Sequence, residues 1–252
     1  MADEEAIPAA TVIVMREGGE GPPELLMVER AAAMRFAGGA LVFPGGRVDP
    51  GDHALAATLE GDQSNDNWDM AARIAAIRET LEEAGVAVGL DIAHEAIPEL
   101  ARAAYAGEPL GALIEAAGAT LRPEQLVPFT RWLPRGVHHR VFDTRFYLAR
   151  APADAEPVVD GNENVRAFWM SAADVLAEAD AGRAHIIFPT RRNLERLALF
   201  GSWDDAVADA LAHEPRIITP WIERREDGDR LCIPDDLGYP VTWQPLGEAM
   251  RG

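Results

Sequence analysis

Apolar residues near the start of the chain recur in short runs that predict β-strands. The runs 10–15 and 25–28 are separated by the glycine- and proline-rich stretch 18–23. Two apolar runs joined by turn-forming residues are typical of a β-hairpin. A third run, 41–43, stops at the Pro-Gly-Gly of 44–46, where proline removes a backbone donor and paired glycines permit close approach of a ligand. We therefore predict a strand that ends in a loop at this point.

The segment 70–84 has the periodicity of a helix. Its apolar residues at 74, 77, 81 and 84 recur at spacings of three, four and three, which places them on one face. Gly85 follows directly and is a natural helix stop. The pattern predicts a helix from Met70 to Ala84.

The rest of the chain alternates between helical and extended patterns. Helices are predicted in 92–118, 172–178, 191–200 and 203–211, and extended segments in 127–133, 140–148, 165–169 and 216–221. The stretch 53–69 ends in polar residues and predicts a surface excursion with a helical turn at 54–59. Strands interspersed with helices favour an α+β fold, a mixed β-sheet sandwiched between α-helices. We expect a single domain over residues 1–252, with insertions at about 53–70 and 92–122 and a helix-rich C-terminal extension from about 171.

Charge and cysteine content restrict the partners and the compartment. The formal net charge of -19 repels nucleic-acid backbones and anionic membranes, so no nucleic acid polymer and no membrane is expected as a partner. Cys232 is the single cysteine, and the first ten residues lack the basic-then-apolar order of a secretion signal. These features favour the cytoplasm, and they leave a homodimer open.

Three glutamates on the predicted helix carry the clearest candidate chemistry. Glu79, Glu82 and Glu83 lie at positions i, i+3 and i+4, so their side chains are neighbours. Three like charges this close are unfavourable unless a cation offsets them, and oxygen ligands suit Mg²⁺ or Mn²⁺, which also bridge substrate phosphates. The alternative is a solvated acidic face, the commoner reason for a glutamate-rich helix.

The sequence around these glutamates resembles the Nudix box of hydrolases that act on nucleoside diphosphates linked to another group. Residues 78–86 read RETLEEAGV, and residues 45–52 read GGRVDPGD. The family pattern is Gly, five residues, Glu, seven residues, then Arg-Glu-U-x-Glu-Glu-x-Gly-U, where U is usually aliphatic. All charged positions of the second half match, while Thr80 departs from U. Asp52 replaces the first glutamate, and 25 residues rather than seven separate it from Arg78, an 18-residue insertion that can loop out without moving its ends.

The resemblance implies a Nudix-like fold and hydrolysis of a diphosphate linkage that depends on Mg²⁺ or Mn²⁺. It implies that Glu82 and Glu83 are the main metal ligands, that Glu79 assists, and that the carbonyl of Gly46 can join the metal shell. Arg78 would orient these carboxylates. Bound metal neutralises the phosphate oxygens and lowers the pKa of a coordinated water.

A carboxylate must also accept a proton during hydrolysis. In the family this base is either a box glutamate or an acid on a later loop. Glu163, within the polar stretch 160–164, is a local candidate for that acid. The alternative is that Glu163 is only a turn residue.

A second signature precedes the box. LMVERA at 26–31, then Arg35, Gly39 and FPGG at 43–46, is similar to the upstream signature of coenzyme A diphosphatases within the Nudix family. The spacings fit, although the residues at 27 and 28 are not the usual Leu and Thr. The long box insertion and the runs RVFDTRF at 140–146 and FPTRRNL at 188–194 resemble the same branch.

The resemblance therefore implies a small-molecule nucleoside diphosphate derivative as substrate. Coenzyme A or acyl-CoA would yield an adenosine bisphosphate and a phosphopantetheine product. The alternative within the enzymes is an ADP-ribose, dinucleotide or nucleotide-sugar diphosphatase. From another class, the alternative is a non-catalytic Nudix-like module that binds a nucleotide.

Arg30 and Arg35 are candidate substrate-binding residues. Guanidinium groups bind phosphate in a fork, so both could meet the phosphates of coenzyme A. In a chain so rich in Asp and Glu, the alternative is that they pair with nearby acids. Both interpretations stay open at this point.

Overall fold

The structure is a computed structural model that describes residues 6–19, 21–34, 37–60, 67–135, 141–159 and 163–250, with residues 60, 67 and 68 described by their main chain alone. The strands, in chain order, are β1 Ile7–Arg16, β2 Glu24–Arg30, β3 Leu41–Val42, β4 Gly45–Arg47, β5 Leu90–Asp91, β6 Thr120–Leu121, β7 Val127–Trp132, β8 Phe142–Arg150, β9 Asn164–Ser171, β10 Ile217–Ile218, β11 Trp221–Glu223, β12 Arg230–Cys232 and β13 Trp243–Pro245. The helices are α1 Pro50–Glu60, α2 Asn67–Ala84, α3 Ile97–Tyr105, α4 Leu110–Ala117, α5 Ala172–Asp180, α6 Phe188–Leu197, α7 Trp203–Ala212 and α8 Leu246–Ala249, with short 3₁₀ turns at His94–Ala96 and Pro123–Gln125. Within the described ranges, no helix combines the length and apolar character needed to cross a bilayer.

The main sheet is mixed and centred on β1. Its order is β10-β7-β8-β1-β2-β3, with β4 also paired to β1 and β9 to β2. Strand β1 runs parallel to β8 along most of its length and antiparallel to β2 and β4. The predicted hairpin and the predicted α+β class with a mixed sheet between helices are therefore confirmed.

Both faces of β1 are buried, which explains its continuous apolar run. Val12 and Val14 belong to a hydrophobic cluster with α2, while Ile13 and Met15 belong to a second cluster with α6 and α7. Successive side chains of a strand point to opposite faces, so alternate residues serve different layers. The sheet thus lies between a layer containing α1 to α4 and a layer containing the C-terminal helices.

Helix α2 confirms the prediction for 70–84 and extends it by one turn at its start. All four apolar positions of the predicted face are fully buried against the sheet side of the molecule. The helix ends at Ala84 because Gly85 has a φ of +64°, a left-handed conformation that favours glycine. Thr80, the imperfect U of the box, is also fully buried, and its hydroxyl donates to the carbonyl of Ala76 at 2.7 Å.

Strand β3 ends before Pro44 as predicted, but the prediction of a loop at 44–46 was wrong for Gly45 and Gly46. Gly45 to Arg47 form β4 and pair with Ala9 to Thr11 of β1. The two backbones are so close that a Cβ on Gly45 would lie 2.5 Å from the carbonyl oxygen of Ala10. Glycine therefore serves close strand packing at this position.

Two further elements differ from the sequence patterns. The helical turn predicted at 54–59 is the full helix α1, which brings Asp52 into its first turn, and residues 61–66 of the predicted excursion lie outside the described residues. The extended segment 216–221 divides into β10 and β11 around Pro220, which lacks a backbone donor. The helix-rich extension also contains the sheet β11-β12-β13, which the sequence patterns did not indicate.

Candidate active site

The guanidinium of Arg78 lies at the centre of an acidic cluster on α2. Its Nε and Nη2 donate to the two carboxylate oxygens of Asp52 at 3.1 and 3.0 Å. Its Nη1 donates to Glu79 Oε1 at 2.9 Å and lies 3.2 Å from Glu82 Oε2. Nη2 also donates to the carbonyl of Arg47 at 2.9 Å. One side chain thus ties helix α1, helix α2 and strand β4 together.

Asp52 is built into this cluster from the start of α1. It is 2% exposed, and its Oδ2 accepts the backbone N–H of Asp49 at 2.8 Å. Both carboxylate oxygens of Asp52 accept hydrogen bonds from Arg78, so the two side chains form a bidentate ion pair. The structure therefore brings Asp52 to Arg78 across the long connection between them.

Glu83 projects from α2 toward the start of β4. Its Oε2 accepts the backbone N–H of Gly45 at 3.0 Å, and its Oε1 lies 3.5 Å from Nη1 of Arg30. The side chain is 7% exposed. The side-chain amide of Asn164, at the start of β9, also donates to this carboxylate.

Gly46 forms a close-fitting cradle for Glu79. A Cβ on Gly46 would lie 2.3 Å from the carboxylate carbon of Glu79 and about as close to both of its oxygens. Only the absence of a side chain at residue 46 allows this approach. Gly46 therefore lies directly against the carboxylate of Glu79.

Burial of the glutamates acts against their charge. Burial raises the pKa of Glu82 to about 7, although the positive charge of Arg78 opposes the shift. Burial and the negative charge of Glu79 raise the pKa of Glu83 to about 7. Burial likewise raises the pKa of Glu79. Burial opposes the charge of Arg78 too, but its hydrogen bond with Asp52 and the surrounding carboxylates raise its pKa.

The cluster fits a hard divalent cation in donor chemistry and in charge. Five carboxylates lie within ion-pair distance of two guanidinium groups, so the cluster carries an excess of three negative charges when all five are ionised. The donor atoms are all oxygens, the kind that Mg²⁺ and Mn²⁺ prefer. In the described part of the chain, no three acidic, histidine or cysteine side chains already surround one common point. Glu79 and Glu82 face Arg78, whereas Glu83 faces Arg30 and the N–H of Gly45, so binding of a metal would require these carboxylates to turn toward a common point.

The raised pKa values predict a pH dependence of the metal-free protein. A carboxyl group whose pKa rises from 4.5 to about 7 on folding stabilises the fold below pH 4.5, and this contribution is lost as the pH rises through 7. We expect the free energy of unfolding in EDTA to fall by about 2 kcal/mol or more between pH 5 and pH 8. Adding Mg²⁺ should raise the free energy of unfolding more at pH 8 than at pH 5. Urea unfolding at both pH values measures this effect.

Glu83→Gln is the control, because it removes one titrating group and keeps the size of the side chain. The pH dependence of this variant in EDTA should be flatter than that of the natural protein. Equal slopes for the two proteins would contradict the prediction.

The other predicted site residues, Arg30, Glu163 and Arg35, differ in their position relative to the cluster. Arg30 lies at the cluster and faces Glu83, so the structure shows the pairing with a nearby acid that the sequence left open. Glu163 is exposed, and its backbone carbonyl accepts the N–H of Ala31 at 2.8 Å, which places its main chain beside the end of β2. Arg35 lies outside the described residues.

Sequence reasoning missed Asn164. It is 1% exposed, pairs with Arg30 across β2 and β9, and contacts Glu83 through its side chain. An asparagine in a polar stretch before a strand normally indicates a turn, so the residue type carried no distinguishing signal. Only the pairing of β9 with β2 brings it to the cluster.

No protein-family model matches the chain. A curated protein of Caenorhabditis elegans, provisionally named nudix hydrolase 7, is 27% identical over 219 residues, which cover 85% of this chain and 69% of that protein. The crystal structure of a NUDIX hydrolase from Alicyclobacillus acidocaldarius is 29% identical and superposes with a TM-score of 0.71, covering 82% of this chain and 97% of that one.

Both similar proteins carry a Nudix hydrolase name. The fold, the box residues gathered around Arg78 and these two similarities together support a Nudix-type hydrolase.

Proposed function

We propose that this protein hydrolyses the diphosphate linkage of coenzyme A or acyl-CoA to an adenosine bisphosphate and a phosphopantetheine product. The observation that carries the diphosphatase activity is the cluster of Asp52, Glu79, Glu82 and Glu83 around Arg78. Support for coenzyme A comes from the upstream signature at 26–46, which ends in the strand that contacts this cluster. ADP-ribose, dinucleotides and nucleotide sugars are the alternative substrates.

Glu79, Glu82 and Glu83, with the carbonyl of Gly46, are the groups that would hold Mg²⁺ or Mn²⁺. The metal when bound would neutralise phosphate oxygens and lower the pKa of a coordinated water. Arg78 keeps Asp52, Glu79 and Glu82 in place through its hydrogen bonds. Arg30, held beside Glu83, can present its guanidinium to a phosphate.

Two carboxylates are candidates for the proton acceptor. Glu82 has a pKa of about 7, which suits a group that must accept and release a proton near neutral pH. Glu163 is exposed and directly precedes Asn164, whose side chain contacts Glu83. Wild-type turnover in Glu163→Ala would exclude Glu163 from this role.

Product analysis tests the function directly. Purified protein is incubated with Mg²⁺ or Mn²⁺ and coenzyme A, octanoyl-CoA, ADP-ribose, NADH or nucleoside triphosphates, with EDTA and Glu82→Gln as controls. We expect an adenosine bisphosphate from coenzyme A or octanoyl-CoA, absent in both controls. Turnover of ADP-ribose or NADH alone would overturn the coenzyme A assignment, and no metal-dependent turnover of any substrate would favour a nucleotide-binding module.

A further inference from the structure

Two buried polar atoms beside the acidic cluster have no hydrogen-bond partner among the described residues. They are Nε of Arg30 and Oδ1 of Asn164. The two residues are paired across β2 and β9, where the register shifts between Glu29 and Arg30. A buried polar atom without a partner is unfavourable, so such atoms are rare in folded proteins and point to a bound group that completes the hydrogen bonding.

Three strands of the main sheet each direct one donor at the carboxylate of Glu83. Strand β4 supplies the backbone N–H of Gly45, 3.0 Å from Oε2, and β2 supplies Nη1 of Arg30, 3.5 Å from Oε1. Strand β9 supplies the side-chain amide N–H of Asn164. The sheet therefore fixes the orientation of this carboxylate, although Glu83 belongs to a helix.

The three donors differ in charge, and this difference separates their roles. Arg30 is a cation, so it offsets the charge of Glu83 and competes with any metal ion for it. The amide of Asn164 and the N–H of Gly45 are neutral, so they orient the carboxylate and leave its negative charge available. Once Arg30 turns to a substrate phosphate, these two neutral donors can still hold Glu83.

The fold places Asn164 for this task. It is 1% exposed and is the first residue of β9, so its main chain is held by the pairing with β2. Its Oδ1 is bonded to the same carbon as the nitrogen that donates to Glu83, so an acceptor that no described residue uses lies next to the carboxylate. Such an oxygen can accept a hydrogen bond from a water bound at the cluster.

We propose that Asn164 is a positioning residue that holds Glu83 in place as an oxygen ligand for a divalent cation. The inference rests on the proposed function, in which Glu83 binds the metal. Removal of a hydrogen-bond partner from a metal ligand typically weakens metal binding by about 10- to 100-fold. Asn164→Leu removes the donor and the acceptor at similar size, so we expect it to weaken binding of Mn²⁺ about tenfold.

Binding of Mn²⁺ in the absence of substrate tests this role without any turnover. Electron paramagnetic resonance detects free Mn²⁺, so a titration gives the dissociation constant for each variant. Asn193→Leu is the matched control, because Asn193 is also fully buried and accepts a hydrogen bond from the Tyr239 hydroxyl at 2.8 Å, but it lies on α6 at the opposite face of the sheet. This control should bind Mn²⁺ within about twofold of the natural protein.

Thermal unfolding shows whether the variants are folded, and Asn164→Ala, with the same expected loss, serves as the second variant where leucine prevents folding. An Mn²⁺ affinity within about twofold of the natural value in the folded Asn164 variant, or an equal loss in Asn193→Leu, would overturn the role of Asn164. No binding of Mn²⁺ by the natural protein would instead overturn the proposed function, because the metal site on which this role depends would be absent.

Discussion

Glu83→Gln is expected to lower kcat for the diphosphate substrate by about a thousandfold. The substitution keeps the size of the side chain and can still accept the N–H of Gly45, but it removes the negative charge that would hold a divalent cation at the site. Steady-state kinetics with saturating Mg²⁺ measure the loss. A KM that changes much less than kcat would show that the charge acts on the chemical step.

Stability separates this functional effect from misfolding. Because burial raises the pKa of Glu83 to about 7, its charge opposes folding at pH 8 in the absence of metal. The metal-free variant should therefore be at least as stable as the natural protein at that pH. Thr58→Val, an exposed change on α1, is a control that should leave kcat within about twofold. A Glu83→Gln enzyme with more than a tenth of the natural kcat would contradict the prediction.

Arg78→Ala is expected to lower the free energy of unfolding by about 3–5 kcal/mol at pH 8. The side chain is 11% exposed, and its removal leaves the buried Asp52 without its cation and exposes Glu79 and Glu82 to each other's charge. Uncompensated buried charge costs far more than the loss of an exposed ion pair. Urea unfolding measures the change, which should be smaller at pH 5, where Glu82, whose pKa burial raises to about 7, is protonated.

Arg102→Ala is the control for Arg78→Ala. Arg102 forms an ion pair with Glu99 on α3, but both side chains are more than three-quarters exposed, so its loss should cost about 0.5 kcal/mol or less. The double variant Asp52→Ala, Arg78→Ala should be less destabilised than the sum of the single changes, because each change removes the partner that the other leaves unpaired. A loss below about 1 kcal/mol in Arg78→Ala would show that the cluster does not depend on this cation.

Local periodicity was enough to predict the elements that carry the site. The spacing of Ile74, Ile77 and Leu81 identified α2, and the run 10–15 with the turn at 18–23 identified the β1–β2 hairpin. Both depend on contacts between residues close in the chain, which the order of residue types reveals. The loop prediction failed at Gly45 and Gly46 because β4 forms through contacts with β1, more than thirty residues earlier.

The same distinction applies to the candidate site. The sequence by itself determined that Arg78, Glu79, Glu82 and Glu83 lie together, because helical geometry brings residues three and four apart to one face. Only the tertiary structure decided that Asp52 meets Arg78, that Gly46 lies against Glu79, and that Asn164 reaches Glu83.

Each of those contacts joins two elements that are far apart in the chain. The long connection between such elements places little restriction on where they meet. Burial, which raises the pKa of Glu82 and Glu83, depends on the packing of whole layers around α2. The sequence therefore determined which charged groups share a helix face. The assembled sheet and helices decided which partners these charged groups contact and how strongly burial opposes their ionisation.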